Sequence, residues 1–64
     1  MIFTYLNEYK EEAVVREDAI LSMRTAKNGN VEIRLNDGTS LWAGETLHTL
    51  ATRWGQLHAQ RSAR

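Results

Sequence analysis

The sequence predicts an α+β fold: an antiparallel four- to five-stranded meander sheet with one C-terminal amphipathic helix packed on one face. Three observations carry this. Val31-Glu32-Ile33-Arg34-Leu35 alternates apolar and polar residues without a break, the pattern of a strand with one dry and one wet face. Two turn signals bracket it: Asn28-Gly29 before and Asp37-Gly38 after. Gly takes the positive φ that hairpin turns need, and Asn and Asp tolerate it best among the rest. Finally, on a wheel of roughly 100° per residue, Leu50, Ala51, Trp54 and His58 fall within about 60° of Leu47, with Leu57 at the edge. That makes one apolar stripe on a polar helix, and a sheet is the only surface left for it to cover.

The elements follow in order. Ile2 to Leu6 is β-branched and aromatic, which suits a pleated surface. Asn7 to Glu11 is polar and can turn. Ala13-Val14-Val15 forms a second short strand, broken by Glu17-Asp18. Ala19 to Thr25 is a third, with Leu21 and Met23 facing the core against Ser22 and Arg24; Ile20 then lies on the wrong face, where it buries an edge or a second surface. Val31–Leu35 is the fourth strand and Ser40 to Ala43 the fifth. The last hairpin has two readings. A three-residue loop Asn36-Asp37-Gly38 sets Ile33 opposite Leu41 and turns Trp42 outward beside Glu32 and Arg34. A two-residue loop Asp37-Gly38 shifts the register by one and buries Trp42. The first is favoured. The helix spans Glu45 to about Ala59, capped near Gly44 or Glu45. Gly55 within it costs about 1 kcal/mol against Ala, which implies a close backbone approach or a fraying last turn. Residues 61–64 are expected to be loose. The whole, 1–64, reads as a single small domain, with no repeat, linker or low-complexity segment.

Composition bounds the function. In 64 residues there is room for one small domain. There is no Cys, hence no disulfide framework and no thiolate metal site. No apolar run approaches the roughly 20 residues of a membrane span, and Met1 to Leu6 lacks the basic start and cleavage site of a signal peptide, so the expected setting is cytoplasmic. Eight basic and eight acidic residues give a net charge of zero, without the basic excess usual in a nucleic-acid-binding domain. The charges form a gradient. Residues 1–18 carry Glu8, Glu11, Glu12, Glu17 and Asp18 against Lys10 and Arg16; residues 46–64 carry Arg53, Arg61 and Arg64 and no acid. This matches the dipole of the last helix, or it serves attraction between protomers or towards a basic partner.

No catalytic constellation emerges. His48 and His58 lie some 15 Å apart along the axis, 10 residues or about 280° of further rotation apart, so one helix cannot bring them to a shared metal. His48 reads as a solvated residue and His58 as the end of the apolar stripe; a metal held by histidines across a dimer is an outlying reading. Glu11-Glu12 and Glu17-Asp18 fall in turns, where water keeps paired carboxylates ordinary. The four glycines, at 29, 38, 44 and 55, are isolated and form no phosphate cradle. The chain is therefore expected to be no enzyme, with no cofactor and no metal. Trp54 belongs to the core stripe. Tyr5, Tyr9, Arg34 and Trp42 are the candidate partner-binding residues, because exposed aromatics and Arg anchor protein interfaces. The expected action is protein–protein interaction as an accessory or inhibitory factor. The core is small enough that a homodimer is also expected.

Two families share features with the chain. Leu6-Asn7, then Ala13-Val14-Val15 leading to Asp18 through Met23, then Val31 to Leu35 with Gly38, then Glu45 before a final helix, resemble over about residues 1–55 the FlbD/SwrD family of small bacterial flagellar proteins. Glu8 follows Asn7 where that family has Gly, and Lys27-Asn28-Gly29-Asn30 stands where it has a Pro-Asp-Thr turn. The resemblance implies a non-enzymatic accessory protein associated with motility. Lys27 to Leu35 is also similar to the Lys-Gly-Asn turn and fourth strand of CsrA/RsmA translational regulators, which implies RNA binding by an interlocked dimer. Those regulators use basic residues early in strand 1 and at the start of the helix; here Phe3 to Leu6 and Gly44-Glu45-Thr46 contain no Arg. A CsrA-like RNA-binding regulator is the alternative function.

Overall fold

The computed structural model describes the backbone of residues 1–62 and the side chains of residues 1–57. Five strands precede one helix: β1 (Ile2–Leu6), β2 (Glu12–Arg16), a 3-10 turn (Glu17–Ala19), β3 (Ile20–Thr25), β4 (Val31–Leu35), β5 (Ser40–Ala43) and α1 (Leu47–Ser62). β1 and β2 form an antiparallel hairpin, and β3-β4-β5 an antiparallel meander. The two sheets join where β1 ends against β5, through an antiparallel bridge between Asn7 and Ala43 and a hydrogen bond from the Gly44 amide to the Leu6 carbonyl at 2.8 Å. The spatial order is therefore β2-β1-β5-β4-β3.

Both turns flanking β4 are three-residue loops closed by a left-handed glycine. Gly29 has φ 89° and Gly38 φ 92°. The Leu35 amide donates to Thr39 O at 2.8 Å and the Gly38 amide to Leu35 O at 3.1 Å. Ile33 pairs with Leu41 and Glu32 with Trp42, which is the first of the two registers the sequence allows. The β1–β2 turn is organised by Asn7, whose Oδ1 accepts from the amides of Tyr9 (2.8 Å) and Glu11 (3.0 Å). Lys10 sits there at φ 64°.

The core combines both sheets and the helix: Phe3, Tyr5, Ile20, Val31, Ile33, Ala43 and Leu50 are buried. Leu47, Trp54 and Leu57 from α1 pack partly buried against them, with Met23, Leu35 and Leu41. Four expectations are corrected. Leu21 is 62% exposed and Ile20 is buried, because the β3–β4 register slips between Ile20 and Ser22. That bulge inserts Leu21 as an unpaired residue, so Ile20 and Met23 reach the same dry side. Ala51 is exposed, and the buried side of α1 turns towards Arg53 instead. The helix begins later and ends later than expected. Thr46 caps it, its Oγ1 accepting from the Thr49 amide at 3.2 Å, and it continues through Ser62. Residues 61 and 62 of the expected loose tail are thus helical, and its last two residues lie outside the described ones. Glu17 is the fourth: it is buried, 1% exposed, where the turn Glu17-Asp18 predicts solvation. His58 also lies in α1, but its side chain is outside the described residues.

Candidate functional site

The outer face of the meander gathers the polar side chains that alternate with the core residues. Arg24, Glu32 and Trp42 form one cross-strand row, and Ser22, Arg34 and Ser40 the next. Glu32 is the centre. Its Oε1 accepts from Arg24 Nε at 2.8 Å and its Oε2 from Ser40 Oγ at 2.7 Å. Arg34 Nη2 lies 3.6 Å from the same Oε2. The Ser40 hydroxyl first, and Arg24 next, hold the Glu32 carboxyl below its ordinary range. Ser22, Arg24, Glu32 and Arg34 line a shallow depression of about 180 Å³.

The carboxylate is engaged, and two arginines that remain largely exposed surround it. Two positive charges against one negative leave the face complementary to an acidic group, and Trp42 beside Glu32 adds aromatic surface. Among the described residues, no group of three or more His, Cys, Asp or Glu could hold a metal ion.

The four sequence-predicted contact residues separate. Arg34 and Trp42 share this face, Arg34 exposed and Trp42 half-buried. Tyr9 stands on the β1–β2 turn, 74% exposed. Tyr5 is not a surface anchor: it is 6% exposed and stacks beside Phe3 with ring centroids 6.4 Å apart. Burial pushes its hydroxyl above the ordinary range. Phe3 and Tyr5 share a face of β1, and the core takes both. No sequence pattern singles out Arg24, Glu32 and Ser40, although the favoured hairpin register places Glu32 beside Trp42.

A second cleft, about 330 Å³, is lined by Thr4, Tyr5, Leu6, Glu12, Glu45 and Arg53. Here Arg53 bridges both oxygens of Glu45, Nη1 to Oε2 at 3.1 Å and Nη2 to Oε1 at 3.0 Å. The pair also occupies the open edge of β1: Arg53 Nη1 donates to Thr4 O at 2.7 Å and the Leu6 amide donates to Glu45 Oε2 at 2.8 Å. Two side chains thus replace the ladder partner that β1 lacks beyond its bridge to β5. Glu45, next to the capping Thr46, also ties the helix to the sheet.

Arg53 holds the Glu45 carboxyl below its ordinary 4.5. A carboxyl lowered in the folded state contributes stability above its unfolded value that is lost as pH falls through the folded one. Chemical denaturation of the wild type and Glu45→Gln should therefore show a gap in midpoint that is largest near neutral pH and closes as pH falls below 4.5. A gap that stays constant with pH would remove the ion pair from the account.

The chain matches no protein-family model, no curated protein and no solved structure. Among the described residues, no helix is long and apolar enough to cross a membrane.

Proposed function

We propose that this chain is a non-catalytic protein-binding module, an accessory or inhibitory factor whose contact surface is the outer face of β3-β4-β5. One observation carries the reading: Arg24, Arg34 and Trp42 stand together on an open sheet face around a carboxylate that the two arginines and Ser40 already engage. Arginine and tryptophan are the side chains most enriched among residues that dominate binding energy. The partner that fits is a protein segment presenting an acidic residue beside an apolar one, the acid for the guanidinium groups and the apolar group for Trp42. The order of strands and final helix that resembles the FlbD/SwrD family supports the same non-enzymatic role.

The test is affinity capture from a bacterial extract with the immobilised chain. Trp42→Ala and Arg34→Ala should each lower recovery of a specific partner about tenfold or more, as truncated interface anchors do, while far-UV circular dichroism stays unchanged. Equal recovery with both variants would remove this face from the proposal. The alternative is a CsrA-like RNA-binding regulator. It predicts a salt-dependent mobility shift with single-stranded RNA containing GGA. Absence of binding at low salt would end it.

A further inference from the structure

We propose that a second copy of this chain pairs along the free edge of β2, antiparallel and about a twofold axis at Val14. The β1–β2 ladder shows which groups are available. Phe3 pairs with Val15 and Tyr5 with Ala13, and the flanking Glu17 amide donates to Met1 O and the Asn7 amide to Glu11 O. Hydrogen-bonded pairs alternate with non-bonded ones in an antiparallel ladder. The odd-numbered residues of β2 therefore bond to β1, and Glu12, Val14 and Arg16 turn their N–H and C=O groups away from it. Among the described residues β2 has β1 as its one strand neighbour, so these groups face an open edge.

A strand that adds to this edge must present its own outward groups, which confines a β2–β2 pairing to registers that set even residues against even residues. Charge selects among them. Centred on Val14, the pairing sets Glu12 opposite Arg16 of the second copy and Arg16 opposite Glu12, with Val14 against Val14. Moving the axis to Ala13 sets Arg16 against Lys10, like charges. Moving it to Val15 sets Glu12 against Asp18, also like charges. Opposite charges across a ladder stabilise it and like charges oppose it, so one register stands apart. The strand Glu-Ala-Val-Val-Arg is thus charge-complementary to itself when reversed, as a twofold interface requires. Each even pair exchanges two backbone hydrogen bonds. Val14, 62% exposed on the outer side, gains its own copy as a neighbour. On the inner side, Ala13 and Val15, half-buried at the core margin, meet Val15 and Ala13 of the second copy. Arg16 now pairs with Asp18 at 3.1 Å, an exposed contact that leaves it free to be shared.

A charge exchange tests this independently of the β3-β4-β5 face. Light scattering on the wild type at micromolar concentration should give the mass of two copies. Arg16→Glu alone and Glu12→Arg alone should each give the mass of one, with self-association weakened about tenfold or more. Mixed together, the two variants should restore the double mass, because each then meets the opposite sign at both positions. Hydrogen exchange adds a backbone readout: the Val14 amide should be protected in the wild type, increasingly with protein concentration, and unprotected in either variant. A single-copy mass for the wild type overturns the proposal. So does a double mass that neither reversal disturbs, which would place any dimer elsewhere, or a mixture that fails to recombine.

Discussion

Phe3→Ala should leave the chain largely unfolded in water at room temperature, and Ile2→Ala beside it should barely register. Phe3 is fully buried. Its ring stacks beside Tyr5, and the Arg53 guanidinium lies over it, 5.8 Å from the centroid. Emptying such a site costs about 3–5 kcal/mol through lost transfer energy and the cavity left behind. The guanidinium contact adds about 0.5–1 kcal/mol. A domain of this length has on the order of 3–10 kcal/mol in total, at roughly 0.05–0.15 kcal/mol per residue. One side chain therefore carries from about a third to the whole of the margin. Ile2 points to the other face of β1 and is mostly exposed, so its truncation should stay within about 0.5 kcal/mol. Urea denaturation followed by circular dichroism measures both. If Phe3→Ala kept a midpoint close to that of the wild type, the β1–β2 hairpin would not share its core with the meander and helix.

Elements governed by local periodicity were legible in the sequence. The unbroken alternation of Val31–Leu35 and the turn glycines at 29 and 38 define the meander, and the observed register is the one that a left-handed Gly38 implies. That register is also why Arg34 and Trp42 lie on the same face. What stayed hidden depends on non-local partners. The β3 bulge leaves no local signature, so simple alternation assigns Leu21 to the core and leaves Ile20 over. A second sheet packing against the first makes the inner face of β1 as dry as that of β4, which is why Tyr5 lies in the core with Phe3. Glu45 and Arg53 are 8 residues apart on either side of the helix cap, and nothing at that spacing suggests a pair. Their meeting follows from the open edge of β1, whose polar groups at Thr4 and Leu6 need partners.

Gly44→Ala should destabilise the fold by about 1–3 kcal/mol, the cost of forcing atoms into a filled space. The cause is contact, since the backbone there does not lie at the positive φ that favours glycine. A Cβ at Gly44 would meet the Asn7 carbonyl oxygen at 2.6 Å. That oxygen cannot move alone, because it accepts from the Lys10 amide at 2.9 Å and belongs to the residue that organises the β1–β2 turn. The Gly44 amide bonds Leu6 O, and its carbonyl receives Lys10 Nζ, so displacing Gly44 loosens the only strand-to-strand link among the described residues between the two sheets. Gly55→Ala is the matching control with the opposite sign. A Cβ there meets nothing within 4 Å, and Ala is favoured over Gly inside a helix by about 1 kcal/mol. Thermal denaturation of the two variants should therefore move in opposite directions. A neutral Gly44→Ala would mean that β1 and β5 are not joined at Asn7 and Ala43, and the order β2-β1-β5-β4-β3 would be wrong. The loss also reaches the contact face. Trp42 is two residues from Gly44 on β5, so a displaced strand end should weaken partner capture in Gly44→Ala even where most of the chain remains folded, whereas Gly55→Ala should leave capture intact.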